Sequence, residues 1–481
     1  MHFRGTLILF VLCAALGAFV YYYEIKGGEK RSKAKEEESQ LWKVDAGDIQ
    51  QLDLVSGAEH ITAVRSGDKQ WKLTAPRAVE ADSGELDRLA GSAASISRES
   101  VTETDAKDLA RFGLGPPQHS LSIKTKQGRE YTILFGNNNP TGSSTYAALG
   151  GSHEVVLVAG YVASNFNKKL DDLRNHAIMS FDQYETASLD IKNAKGTVKL
   201  AKDGDRWWIE GKEKWAADSS EVNTLLSALA NGRVKEFFDG NADEYQNLGF
   251  DKPTLDIRAA VGKDKAIKHL EVGLEKSQVL KKGEKPAKAA AGAKPADTAT
   301  KLYIARDESR SELFWVDGEF VDKFLKSPED LRSKALASFQ RWDVDTIELT
   351  GPKGSVTITK SDAGGDWLVG TDKKKAKWDA VNGVLDSLEK PVKQFVEDTR
   401  PPAYYGLDKP AIRVILKQKG EEKVDCSFGK ETQDGVYAQV KGESSIKLAD
   451  KDVLKKLDLG TQDFIEPPPA PPATPASQPK K

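Results

Sequence analysis

Cysteine is nearly missing from this chain of 481 residues, which holds only Cys13 and Cys426. Two thiols so far apart exclude a disulfide framework and any cysteine-built zinc site. Net charge is also missing: 71 basic residues meet 73 acidic ones, leaving -2. A balance this even gives no electrostatic footprint for nucleic acid. Histidine is scarce, and His2, His60, His119, His153, His176 and His269 include no pair three or four residues apart, so helical zinc-ligand spacing is absent. No G-x-x-x-x-G-K-[ST], no G-x-S-x-G and no strand-borne G-x-G-x-x-G occurs; Gly429-Lys430 is followed by Glu431. Asp203-Gly204-Asp205 is too short for a calcium loop and reads as a hairpin turn. With 73 carboxylates, an acid/base pair could be drawn anywhere, and such a pair is no evidence. The sequence therefore predicts no catalytic residue, no cofactor and no metal ligand. A non-enzymatic role is expected.

Long apolar runs are missing too, with one exception. Residues 6–23, TLILFVLCAALGAFVYYY, carry no charge, and Tyr21–Tyr23 suit a membrane interface. A cleaved signal would need small residues at A-x-A spacing, but Leu16-Gly17-Ala18 precedes Phe19. A lipoprotein would need a small residue before Cys13, where Leu12 stands. The segment is expected to be an uncleaved, single-pass anchor in the lipid bilayer. Residues 1–43 thus form a stub, the anchor at 6–23 and a charged linker. Lys26, Lys30, Arg31, Lys33 and Lys35 follow the anchor and Arg4 alone precedes it, which by the positive-inside rule favours a cytoplasmic body. Long soluble domains often translocate despite such charges, so these residues leave the side open.

What the chain does contain is internal repetition. A tryptophan closes a short strand in GDKQWKLT (Trp71), GDRWWIE (Trp207–Trp208) and GGDWLVG (Trp367). Each is followed by a turn: FGLGPPQ at 112–118, LGFDKPT at 248–254 and YGLDKPA at 405–411. Then comes a strand closing on glycine (Gly136, Gly273, Gly429) and one opening near Tyr146, Tyr303 or Tyr437. The junctions LRNHAIMSF at 173–181 and LRSKALASF at 331–339 repeat as well. Three units are expected, over residues 44–175, 182–333 and 340–463.

Each unit alternates short strands with one amphipathic helix. In the second helix Val222, Leu225, Leu226 and Leu229 fall at i, i+3, i+4, i+7, and Asp218 or Ser219 can cap its start. The fold class predicted is α+β: three tandem copies of a largely antiparallel sheet-plus-helix unit, preceded by one transmembrane helix. The tryptophans and tyrosines are expected in the cores. Residues 281–300 are an Ala/Lys/Pro-rich insertion in the second unit, expected to be a surface excursion. The tail, 464–481, is proline-rich and expected to be extended or disordered; such a segment is a spacer, a peptide ligand or a solvated terminus.

The strand tryptophans, the YGLDKP-type turns, the F-G strand closures and the LR-x-x-x-L/I-x-SF junctions together resemble a bacterial family known as domain of unknown function 4340. The resemblance covers most of residues 44–463. It implies a protein anchored in the bacterial inner membrane, with its body periplasmic, often accompanying ABC-type transporters. It offers no catalytic residue to carry over. Unit one departs from the pattern, with Gly115-Pro116 where the others have Asp-Lys. The expected function is a scaffold or accessory subunit partnered by other membrane proteins, with an ABC-type transporter complex as the assembly the resemblance implies. The alternatives are an envelope glycan- or peptide-binding module using a groove between units, and, less favoured, an enzyme of unrecognised class. Oligomeric state is left open.

Overall fold

The computed structural model describes residues 38–67, 69–284, 301–361, 365–396 and 400–466. The anchor segment 6–23, most of the insertion 281–300 and most of the tail lie outside them. No helix among the described residues is long and apolar enough to cross a membrane.

The first repeat is one nine-stranded antiparallel sheet. Its strands are β1 (Ile49–Ser56), β2 (Glu59–Gly67), β3 (Gln70–Ala75), β4 (Val79–Glu80), β5 (Ser100–Glu103), β6 (His119–Thr125), β7 (Glu130–Asn138), β8 (Ser144–Leu149) and β9 (Val155–Ala159). Their spatial order is β4-β3-β2-β1-β6-β7-β8-β9-β5. Two meanders meet where β1 pairs with β6, and β5 crosses to the far edge beside β9. The second sheet, from Thr186 to Asp317, and the third, from Thr346 to Ala449, repeat this order strand for strand. Three tandem units thus stand as the sequence predicts, although sheet outweighs helix more than the α+β expectation implies.

Between the fourth and fifth strand of each sheet runs one long helix: α1 (Ser83–Ala94), α2 (Ser219–Asn231) and α3 (Trp378–Glu389). Asp82 caps α1 by accepting from the Glu85 amide at 3.0 Å, and Asp218, rather than Ser219, caps α2. The buried stripes are Leu86, Leu89, Ala90 and Ala93; Val222, Leu225, Leu226 and Leu229; and Val381, Val384, Leu385 and Leu388. Each buried Leu or Val contributes about 1.5–3 kcal/mol relative to exposure. The three tryptophans lie in these cores, Trp71 at 2% exposed and Trp207 and Trp367 at 3% each.

The glycine and turn landmarks have one shared cause. The strands do not end at Gly136, Gly273 and Gly429; each continues past a bulge at that point. A Cβ there would sit 2.1, 2.0 or 2.1 Å from the carbonyl oxygen of Phe112, Leu248 or Tyr405. The turn therefore packs its backbone directly on the strand, and the next residue (Gly113, Gly249 or Gly406) adopts the left-handed conformation that turns the chain away. Tyr146 and Tyr437 are not in the main cores, as the alternation predicts, but pack on this turn. Their rings lie 5.0 Å from Phe112 and 4.9 Å from Tyr405. Tyr303 packs against the main core of its repeat. In the first repeat the Gly115–Pro116 bond is cis.

The described chain divides into two compact units. One comprises residues up to His176 with Arg310–Glu312, and the other holds the remainder of the second repeat together with the third. In the first, Arg174 is buried and pairs with Glu312 at 2.8 Å. In the second, the junction strap at 331–339 joins two sheets. Arg332 pairs with Ala217 and stacks between the rings of Trp215 (4.1 Å) and Phe395 (3.4 Å). Three residues on, Ala335 pairs with Pro391, and Leu336 and Ala337 enter the third core. Phe464, placed by the sequence in the tail, is buried there too, and Ile465 pairs with Ala376.

Candidate functional site

Because Leu225, Leu226 and Leu229 hold one face of α2 against its sheet, the opposite face is left to line a recess of 910 Å³. That face presents Ser220, Asn223, Thr224, Ser227 and Asn231 at helical spacing. Their side chains bond within the helix: Thr224 Oγ1 donates to Ser220 O at 2.9 Å and Asn231 Nδ2 to Ser227 Oγ at 3.1 Å. The corresponding faces of α1 and α3 carry ion pairs instead. On α1, Asp87 meets Arg65 and Glu85 meets Arg88 and Lys168. On α3, Asp386 and Glu389 meet Arg341. Five Ser, Asn and Thr residues on a solvent-facing helix cost about 2–3 kcal/mol of helix propensity relative to alanine. Beyond Glu221, which meets Lys326 as Glu85 meets Lys168, the outward face of α2 carries hydroxyl and amide side chains where α1 has Asp87 and α3 has Asp386 and Glu389.

A second recess, of 510 Å³, adjoins the first and shares Ser219, Ser220 and Gln340 with it. It lies where the second and third repeats meet. Trp208, Phe339 and Pro391 give it apolar walls, with Ser338, Gln340 and Gln418 among its polar ones. Strand alternation puts Trp207 in the core and its neighbour Trp208 on the other face. Trp208 is 6% exposed, and Lys214 and Arg206 stand over its ring at 4.5 and 5.5 Å. Its Nε1 is shut off from solvent and donates to no acceptor among the described residues.

Exposed aromatics recur with the repeats. A short 3-10 turn enters each sheet, over Ala46–Asp48, Gln183–Glu185 and Arg341–Asp343. Its middle residue is Gly47 in the first repeat, Tyr184 in the second and Trp342 in the third. Tyr184 is 80% exposed and Trp342 75%.

One titratable cluster lies outside these recesses. His269, Glu271 and Glu308 bring ligand-type atoms within 4.8 Å of one another. His269 faces Asp256 through Nε2 at 3.0 Å and Glu308 through Nδ1 at 2.8 Å, while Glu271 binds Arg306. Burial pushes the Asp256 carboxyl up, but Arg258 and the His269 bond outweigh it and hold the group below its ordinary value. To bind a metal, the imidazole would have to release one of its two carboxylates. As built, the cluster is an ion-pair network on a sheet face. The sequence, which predicts no site residue, misses it because Asp256, His269 and Glu308 come together only through strand pairing. The α2 stripe and the outward Trp208 were readable from helical spacing and strand alternation.

A tandem array of nine-stranded sheets, each stapled by one helix and one glycine-docked turn, defines a repeat protein with its recesses at and beside a repeat junction. The family described as Domain of unknown function (DUF4340) matches residues 71–253, 207–390 and 367–474, each match starting on a landmark tryptophan. The chain belongs to that family. No curated protein matches it. Among solved structures, the DNA polymerase III subunit beta from Borrelia burgdorferi, in complex with a natural product, overlaps at a TM-score of 0.16 and 5% identity. That overlap covers 87% of this chain and 96% of the other and carries no argument.

Proposed function

We propose that this protein is a non-enzymatic, membrane-anchored envelope component, a scaffold or accessory subunit whose repeats present a surface to other membrane proteins. The observation that supports it is the pair of exposed aromatics, Tyr184 and Trp342, at one structural position in consecutive repeats. Tyrosine and tryptophan in water-facing turns lose most from solvation and gain most at an interface, where they concentrate binding energy. The apolar run at 6–23 and the family resemblance support a partner in the membrane, with an ABC-type transporter as the class proposed. The body then lies on the periplasmic side.

The reading is tested by crosslinking in cells followed by purification from mild detergent. A permease or ATPase subunit should co-purify with the wild-type chain, and the Tyr184→Ser/Trp342→Ser double variant should lose it. Recovery of the chain alone, repeatedly, removes the basis of the reading. Periplasm-only reporters fused after residue 40 and at the C-terminus should both be active; silence of both would put the body in the cytoplasm.

A further inference from the structure

The three sheets share one strand position whose charge differs from repeat to repeat. In the second repeat it is His269, whose carbonyl accepts from the Glu308 amide. In the third it is Asp425, accepting from the Lys441 amide, and in the first Thr132, accepting from the Gly150 amide. Two residues further along, Glu271, Ser427 and Leu134 pair with Asp256, Arg413 and Ser120 on the neighbouring strand. The third repeat fills this spot with ion pairs, Asp425 meeting Arg413 at 2.7 Å and Lys441 at 3.8 Å. The second repeat inverts it. A histidine stands in place of the aspartate, and the carboxylates Asp256 and Glu308 stand in place of the two cations.

That inversion leaves His269 short of a cation. A neutral imidazole has one N–H and one lone pair. Yet both ring nitrogens face carboxylate oxygens, Nε2 that of Asp256 at 3.0 Å and Nδ1 that of Glu308 at 2.8 Å. With the Nε2 proton donated to Asp256, the Nδ1 lone pair points at an acceptor, and a second proton or a metal ion has to lie between them. Glu271 supplies a third ligand on the same face of the same strand. One of its oxygens accepts from Arg306, and the other has no hydrogen-bond partner among the described residues, although Glu271 is only 8% exposed.

The ligand-type atoms of His269, Glu271 and Glu308 lie within 4.8 Å of one another, in the one such group found among the described residues. Around a tetrahedral zinc ion, ligand atoms stand about 3.4 Å apart, so small side-chain shifts close the set. The Glu308 side chain is 61% exposed and can swing off Nδ1. The imidazole then releases that carboxylate as a hydrogen-bond partner and gains it as a fellow ligand. Asp256, behind the ring, fixes the tautomer that leaves Nδ1 unprotonated, as carboxylates do behind metal-bound histidines.

We infer that His269 Nδ1, Glu271 and Glu308 bind a divalent transition-metal ion of the zinc class, with Asp256 orienting the imidazole. Imidazole with carboxylates suits such ions. Three protein ligands leave one position for water or an anionic ligand.

The test uses the full chain in detergent, without a histidine tag and freed of chelator, titrated with zinc chloride in calorimetry. One zinc ion per chain should bind. His269→Gln, which keeps an N–H for Asp256, should weaken binding about a hundredfold, and Glu308→Gln and Asp256→Asn about tenfold each. His60→Gln, in the first repeat, should change nothing. Cobalt(II) should give the visible absorption of a tetrahedral site, lost in His269→Gln. Glu308 is at the surface, so Glu308→Gln reports on the site in a chain that folds, with circular dichroism as the check. Absence of a saturable site in the wild-type chain overturns the inference and leaves His269 protonated between two carboxylates. Equal zinc affinity in His269→Gln or Glu308→Gln also overturns it, showing an adventitious ion only.

Discussion

Replacing Lys447 with methionine should be among the most damaging single changes in the third repeat. Lys447 is 1% exposed, at the centre of a short strand near the sheet edge. Its ammonium meets Glu443 Oε2 at 2.6 Å, Leu336 O at 2.8 Å and Ala335 O at 3.4 Å, so all three donors are spent. Two of those acceptors belong to the junction strap, and the pair thereby ties the third sheet to the segment entering from the second. Methionine fills the stem volume but strands the Glu443 carboxylate, which is 5% exposed. Removing one partner of a buried pair costs about 3–5 kcal/mol, which for a unit of this size lowers the melting temperature by roughly 10 °C. Removing both charges together, as Lys447→Met with Glu443→Gln, should restore much of the loss and give a coupling of about 2 kcal/mol or more in a double-mutant cycle. The assay is urea unfolding of the full chain followed by tryptophan fluorescence. A Lys447→Met form within about 1 kcal/mol of wild type, or a double variant as unstable as the two singles combined, would refute the reasoning.

Gly429→Ala should destabilise the third repeat severely, because the new Cβ meets the Tyr405 carbonyl at 2.1 Å; a melting curve superimposable on wild type would show that the turn moves freely. Cys426 is wholly buried, and burial pushes its thiol up to about 12, so in a Cys13→Ser background iodoacetamide should label it only when the repeat unfolds; rapid labelling in native buffer would contradict its placement. His119 is buried against Phe135 with Nε2 2.8 Å from Ala163 O, and burial holds its pKa below the ordinary imidazole value despite that bond. The unfolded chain therefore takes the proton first as pH falls through about 6.5, and the first repeat should lose stability below that point. His119→Gln should remove this part of the pH dependence, and an unchanged urea-midpoint profile in the variant would dismiss it.

Most of the repeat framework was legible because its landmarks are obligatory backbone chemistry. Trp71, Trp207 and Trp367 mark the cores by strand alternation, and the α2 stripe is visible as i, i+3, i+4, i+7. The reason for Gly136, Gly273 and Gly429 was not legible, since it lies in a carbonyl brought in from a turn 24 or 25 residues earlier (Phe112, Leu248 and Tyr405). The two-to-four-residue strands that complete each sheet, such as Val79–Glu80 and Ser100–Glu103, are too short to show a period. Tyr146 and Tyr437 left the main cores because the docked turn gives the outer face its own small cluster. The recesses were half visible: Trp208 next to Trp207 signals an outward aromatic, but its closure by Phe339 and Pro391 depends on how consecutive repeats pack.

The proposal that consecutive repeats offer aromatic contacts to a membrane partner is tested most directly by a photo-crosslinking amino acid at position 342 in living cells. Position 47, the same site in the first repeat where glycine stands, serves as the comparison. The account predicts an adduct between position 342 and an integral-membrane transport subunit, stronger than any adduct from position 47. Adducts confined to the chain itself, or equal and unselective adducts from both positions, would contradict it.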